Sequence, residues 1–234
     1  MPVEGPTLNI SAVSPEERNA ALQGLIQEYR ALISALAATQ AMTANRISLL
    51  IGLLSAIVVV LGLVAQGDGF GDEFFLFATA LIPILLAYGL VTYERMVQLS
   101  REAAVYVIGT NRIRHFLVEA APIIEPYLVL PIADDDEALG MSMGLGMTGH
   151  RPRFLLAYAI AQGPGIVALL NGMAAAALAV MVGYRIELRG VLTVTLGVVV
   201  LVGLVALQLW YWSRSVTDLR ARVPARFPTE PSAE

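Results

Sequence analysis

The chain has 234 residues, 57% apolar and 15% charged, with a net charge of -4 and no cysteine. Soluble domains carry roughly a quarter of their residues as charges, so much of this surface is expected to face lipid rather than water. Disulfides, thiolate metal sites and cysteine nucleophiles are excluded, and without a basic stripe apart from the apolar runs no nucleic-acid partner is expected.

Residues 1–13 read as a flexible N-terminus. Ser14 then offers a helix cap, Pro15 the first helical position, and Glu16 and Glu17 an acidic first turn, with Ser14 and Glu17 at capping-box spacing. Leu22, Leu25, Tyr29, Leu32 and Leu36 recur three and four apart, the spacing of a coiled-coil seam, which predicts an amphipathic cytoplasmic helix over 14–46. Nothing breaks it before the first span, 47–65, so one rod of about 75 Å is expected at 1.5 Å per residue. That span is no cleavable signal, because 46 mostly polar or amphipathic residues precede its apolar run.

An acidic outer loop, 66–73, carries Asp68, Asp72 and Glu73, and the second span covers 74–93. Beyond it, over 94–120, the seam resumes at Met96, Leu99, Ala103, Tyr106, Thr110, Ile113 and Leu117, until Pro122 and Pro126 end the helix. The two seams predict an antiparallel hairpin. One alignment of it sets Arg46 beside Glu94, Glu28 beside Arg112 and Arg18 beside Glu119. Exposed pairs of this kind contribute at most about 1 kcal/mol each, so they would specify register more than stability.

Residues 121–162 form a linker. Pro122, Pro126 and Pro131 suggest an extended strap on the hairpin; Asp134, Asp135, Asp136 and Glu137 then read as a solvated acidic run, lacking the alternating spacing and glycine of a calcium loop. The apolar stretch ending at Gly163, Pro164 and Gly165 is either a short interfacial helix or a broken helix within the bilayer, the latter tolerated only where it lines a cavity or is buried. The third and fourth spans occupy 163–184 and 191–212, joined by an outer turn at 185–190, and a cytoplasmic tail, 213–234, follows. The expected fold class is an all-α integral membrane protein with four transmembrane helices, the first two extended into a cytoplasmic antiparallel helical hairpin. All 15 basic residues are arginine, and only Arg185 and Arg189 fall on the far side of this topology, so the positive-inside rule puts both termini in the cytoplasm.

No catalytic constellation is visible: the two histidines, His115 and His150, lack metal-ligand spacing, and no cofactor, metal site or enzymatic activity is expected. The spans hold no charge, which weakens ion-coupled transport. Polar atoms at depth come from Ser48, Ser55, Asn171 and Thr193, with Thr79, Thr195 and Gln208. Asn171, Ser55, Ser48 and Thr193 are candidates for a pore wall, although an amide in mid-helix such as that of Asn171 more often hydrogen-bonds a neighbouring helix. Ala168, Gly172 and Ala176 make a small-residue ridge, and Gly52 and Ala56 a shorter one. Asp68, Asp72 and Glu73 would ring an outer mouth if several copies surrounded an axis, and otherwise form a solvated turn. Arg112, Arg114 and His115, in the polar cluster 111–116, either serve hairpin salt bridges or contact an anion or other ligand.

That cluster, the long helix entering the first span, and the stretch Gly140 to Gly146 resemble a group of uncharacterised bacterial four-helix multi-pass membrane proteins. Residues 15 to 120 also resemble, in architecture, the SLATT class of two-span membrane effectors, whose cytoplasmic helices extend the spans and whose resemblance implies pore formation; this chain adds two further spans. Together these features point to a homo-oligomeric channel or pore in the bacterial inner membrane, with a cytoplasmic helical domain that assembles and gates it. The alternative is a non-conducting scaffold or anchor that presents the hairpin to a cytoplasmic protein partner.

Overall fold

Ser14 and Glu17 close the capping box expected of them: the Glu17 amide donates to Ser14 Oγ and the Ser14 amide to Glu17 Oε2, both at 3.3 Å. From there the computed structural model, which describes residues 14–143 and 163–229, continues as one helix, α1, Pro15–Asp68. Gly69, in the left-handed region at φ 64°, opens the short turn into α2, Asp72–Ala120. A 3-10 turn, Pro122–Tyr127, follows α2 where the prolines predict its end. Then come α3, Asp136–Ser142, α4, Gly163–Arg185, and α5, Gly190–Arg222. The fold is all-helical, and α1, α2, α4 and α5 are each long and apolar enough to cross a membrane. The segment 154–162 and residues Arg151, Arg153 and His150 lie outside the described residues, as do residues 144–146 of the stretch Gly140 to Gly146.

Two units make up the chain. The first takes residues up to Gln40, Arg101–Phe154 and Thr217 onward. On α1 the predicted seam is the half-buried row: Leu22, Leu25, Tyr29, Leu32 and Leu36 are each partly covered while most positions between them are exposed. The order of contacts along α1 and α2 is antiparallel, with Arg18 at Ala120, Tyr29 at Arg114 and Leu32 against Gly109. On α2 the buried surface is broader than a coiled-coil seam. Ala104, Val107, Ile108, Asn111 and Arg114 are all buried beside the seam residues, because α3 and the end of α5 cover α2 as well: Leu139 and Leu219 share its core cluster.

The second unit comprises Ala41–Ser100 and Leu155–Val216. Its core joins Leu50 and Ile57 of α1, Ala78, Ile82, Leu85, Met96 and Val97 of α2, and Val167, Ala168 and Ala174 of α4. Small residues let the backbones approach. A Cβ at Gly172 would stand 3.2 Å from the Leu201 carbonyl, and one at Gly197 2.6 Å from a Val180 methyl, so the ridge on α4 is used against α5 inside the chain. Between α4 and α5, Glu187 takes φ 55°, with the Leu188 amide donating to Gly183 O and the Glu187 amide to Tyr184 O, a Schellman closure that ordinarily favours glycine.

Asn171 meets α2 where Gly89 leaves room: a Cβ there would lie 1.9 Å from Asn171 Oδ1. Gly89→Ala should therefore lower the thermal midpoint in detergent by an amount equivalent to about 1–3 kcal/mol, the usual range for overpacking. Adding Asn171→Ala should recover most of the loss, and a double variant no more stable than Gly89→Ala would show that this contact does not set the α2–α4 spacing.

Candidate functional site

The densest polar assembly in the first unit forms around Asp134, which has no exposed surface. Its Oδ2 lies 2.6 Å from Arg112 Nε, while the amides of Arg226 and Phe227 donate to its Oδ1 at 2.9 and 2.8 Å. The Asp134 amide donates back to the Phe227 carbonyl, and Arg112 Nη2 to the Pro224 carbonyl. Arg220, near the end of α5, donates from Nη1 to the Asp134 carbonyl and places Nε 2.5 Å from Asp136 Oδ1. Asp135 caps α3 by accepting from the Ala138 amide and takes the Thr229 amide at 2.6 Å. Phe227 stacks on His115 with ring centroids 4.0 Å apart.

A second layer runs along α2. Asn111, fully buried, donates to the Ala133 carbonyl and Ser142 Oγ, and its Oδ1 accepts from Arg114. Arg114 continues to Tyr29 Oη of α1 at 3.1 Å, its guanidinium 5.6 Å from that ring centre. Asn111 and Arg114 together thus tie α2 to the Ala133 loop, to α3 and to α1.

Burial opposes ionisation of the Asp134 carboxyl, but the Phe227 amide, Arg112 and the Arg226 amide outweigh it and hold the group below its ordinary value. Burial likewise opposes ionisation of Asp135, and the Ala138 and Thr229 amides and Arg220 overcome it.

These facts correct two expectations. The acidic run is not simply solvated: Asp134 is buried, Asp135 caps a helix and Asp136 pairs with Arg220. Arg112 does not pair with Glu28, nor Arg46 with Glu94, nor Arg18 with Glu119, among the ion pairs of the described residues. Arg112 goes to Asp134 because a buried carboxylate is a stronger acceptor than an exposed glutamate. Arg18 instead donates to the Ala120 carbonyl at the end of α2, and Glu119 pairs with His115 at 3.7 Å. As for a ligand role, Arg112, Arg114 and His115 all engage groups of this chain.

The pore-wall candidates do not share a face. Asn171 and Thr193 are buried; Thr193 Oγ1 turns back to the Leu188 and Arg189 carbonyls, and Asn171 lines a cavity of about 10 Å³ with Leu50, Leu54, Leu85 and Leu170. Ser48 and Ser55 are exposed on one face of α1 and donate to the Ala44 and Ile51 carbonyls. Of the acidic candidates, Asp72 pairs with Arg185 at 3.2 Å, Glu73 is exposed, and the Asp68 side chain lies outside the described residues. Arg185 also sits over the Phe75 ring, which stacks on Tyr184.

Sequence reasoning missed the roles of Asp134, Arg220 and Phe227. The signals present were Asp135 three residues ahead of Ala138, a cap spacing, and Pro224 and Pro228 bracketing Phe227, a turn signature. The chain matches no family model, no curated protein and no solved structure.

Removing a buried ion-pair partner ordinarily costs about 3 kcal/mol, so Asp134→Ala should lower the thermal midpoint measurably. Because the folded-state value of Asp134 is depressed, its contribution is complete above its unfolded value, about pH 4, and is lost as pH falls through the folded value. Thermal scans of wild type and Asp134→Ala should therefore converge on acidification below that point; a gap that stays constant down to the lowest accessible pH would show that charge is not what Asp134 supplies.

Proposed function

We propose that the chain is a homo-oligomeric membrane channel, both termini cytoplasmic, in which the outward face of α1 from each copy surrounds the conducting axis. The observation that carries this reading is the row Ser48, Gly52, Ser55 and Gly62 on α1. All four are exposed, and no heavy atom stands within 4 Å of a Cβ at either glycine. Spaced four, three and seven apart, they lie on one face of the helix. In lipid, association between helices is driven by close packing of small residues, and this row has no packing partner among the described residues.

Among the described residues the cavity beside Asn171 has room for one water at most, which supports a passage between copies over one through a single copy. Conduction then requires an axis between copies, and Ser48 and Ser55 are the pore-wall candidates that already face outward. At the loop between α1 and α2, the Asp72–Arg185 pair would partly neutralise an acidic mouth. The second reading, a non-conducting anchor that presents its cytoplasmic unit to a protein partner, draws support from the clasp around Asp134, which gives that unit a fixed surface.

The chain has no native cysteine, which makes single-cysteine variants clean reporters. Oxidising membranes that contain Ser55→Cys should give disulfide-linked dimers, whereas Leu207→Cys, on an exposed face of α5, should remain monomeric. Liposomes with wild type should release ions, and Gly52→Leu with Ser55→Leu should reduce that flux roughly tenfold or more by filling the space at the axis. Cross-linking without flux would favour the anchor; neither cross-linking nor flux would remove both the assembly and the channel.

A further inference from the structure

Residues 224–229 leave the end of α5 and settle on the loop that carries Asp134. Most of what holds them is backbone: the Arg226, Phe227 and Thr229 amides and the Pro224 and Phe227 carbonyls make hydrogen bonds, the Thr229 side chain adds one to Asp135, and Phe227 lays its ring on His115. A bend at Arg226 and Phe227 turns two successive amides toward one carboxylate. Pro224 and Pro228 bracket that bend with positions that have no donor to satisfy, so every amide between them except that of Ala225 is taken by Asp134. Except for Phe227 the segment is exposed. The receiving surface, Asp134, Asp135, Arg112 and His115, therefore recognises a proline-bracketed aromatic bend and reads little else.

We propose that this surface is an exchange site, occupied by the tail of its own chain or by the same tail from a second copy. The occupant that fits it is written in every copy, and exchange keeps each hydrogen bond and the ring stack while changing only the path of the chain at the bend of Val223, which is why swapped elements are a low-cost route to assembly. The Phe227 of a partner would then complete the site of its neighbour. This rests on the homo-oligomer reading and adds a second contact to it, one made through the tail.

Complementation tests it with two full-length variants reconstituted in the same membranes. Asp134→Ala keeps a normal tail but lacks the acceptor; Arg226→Pro with Phe227→Pro keeps the acceptor but lacks the two amides and the ring. Neither can form the contact within itself. Hydrogen exchange at the Arg226 and Phe227 amides of Asp134→Ala should be fast alone and slow by at least about tenfold when the proline variant is added, since neighbours in one assembly reach millimolar effective concentrations. A labelled peptide of residues 223–229, added to the proline variant alone, provides an independent readout, and replacing its phenylalanine by alanine should abolish binding. Unchanged exchange in the mixture overturns the proposal even where the peptide binds, because the site would then accept a segment but not that of a second copy. Ser55→Cys cross-linking in the same membranes separates this result from loss of the assembly itself: persistent cross-links with unchanged exchange sink the tail contact alone.

Discussion

A carboxylate taken fully out of water costs several kcal/mol unless its oxygens are met by donors, and Asp134 is such a group. Its donors come from far along the chain: a guanidinium 22 residues back on α2 and two amides more than 90 residues ahead in the tail. The requirement that all three reach one side chain fixes the loop, the end of α5 and the tail around α2. Arg220 holds the same loop through a main-chain carbonyl and Asp136, and Asp135 starts α3 from the adjacent position. Each of these contacts depends on Asp134 being where it is.

The same arrangement explains what could be read from the residues alone. The capping box at Ser14 and the seam on α1 are local patterns, legible because every participant lies within a few helical turns. On α2 the apolar rhythm was legible and the extent of burial was not. Its extra covering, Leu139 and Leu219, arrives from segments whose contact with α2 no periodicity encodes. The acidic run looked solvated for the same reason. Four successive acids give no local hint that one of them is buried against an arginine, and matching charges across two helices gives Arg112 to Glu28, a weaker claimant than Asp134.

Glycine shows how far composition can mislead about contact. Gly172 and Gly197 sit where two backbones approach within the chain, and Gly89 where an asparagine side chain enters. Gly52 and Gly62 look alike in sequence yet face open space. The four apolar helices are therefore not equivalent: α4 spends its small residues on α5, whereas α1 keeps its small face outward. Asn171, the polar residue that stood out in the sequence, lies on the side of that division where contacts are already made, and Ser48 and Ser55 lie on the other.

This division separates side chains enclosed within the chain from those that face outward among the described residues. A serine that returns its hydroxyl to the carbonyl one turn back, as Ser48 and Ser55 do, has no unmet donor and can face lipid, another helix or water with little difference in cost. A buried asparagine amide cannot: Asn171 Nδ2 has no partner among the described residues and is confined to a space of one water. A face built from self-satisfied hydroxyls and glycines is thus tolerant of a change in surroundings, which a helix must be if it passes from lipid into an assembly. The tail in the other unit is held largely by backbone amides and one ring, groups that carry no charge of their own. Asp134 and Arg112 are the reverse case, charges taken partly or wholly out of water that need their donors and acceptors in place.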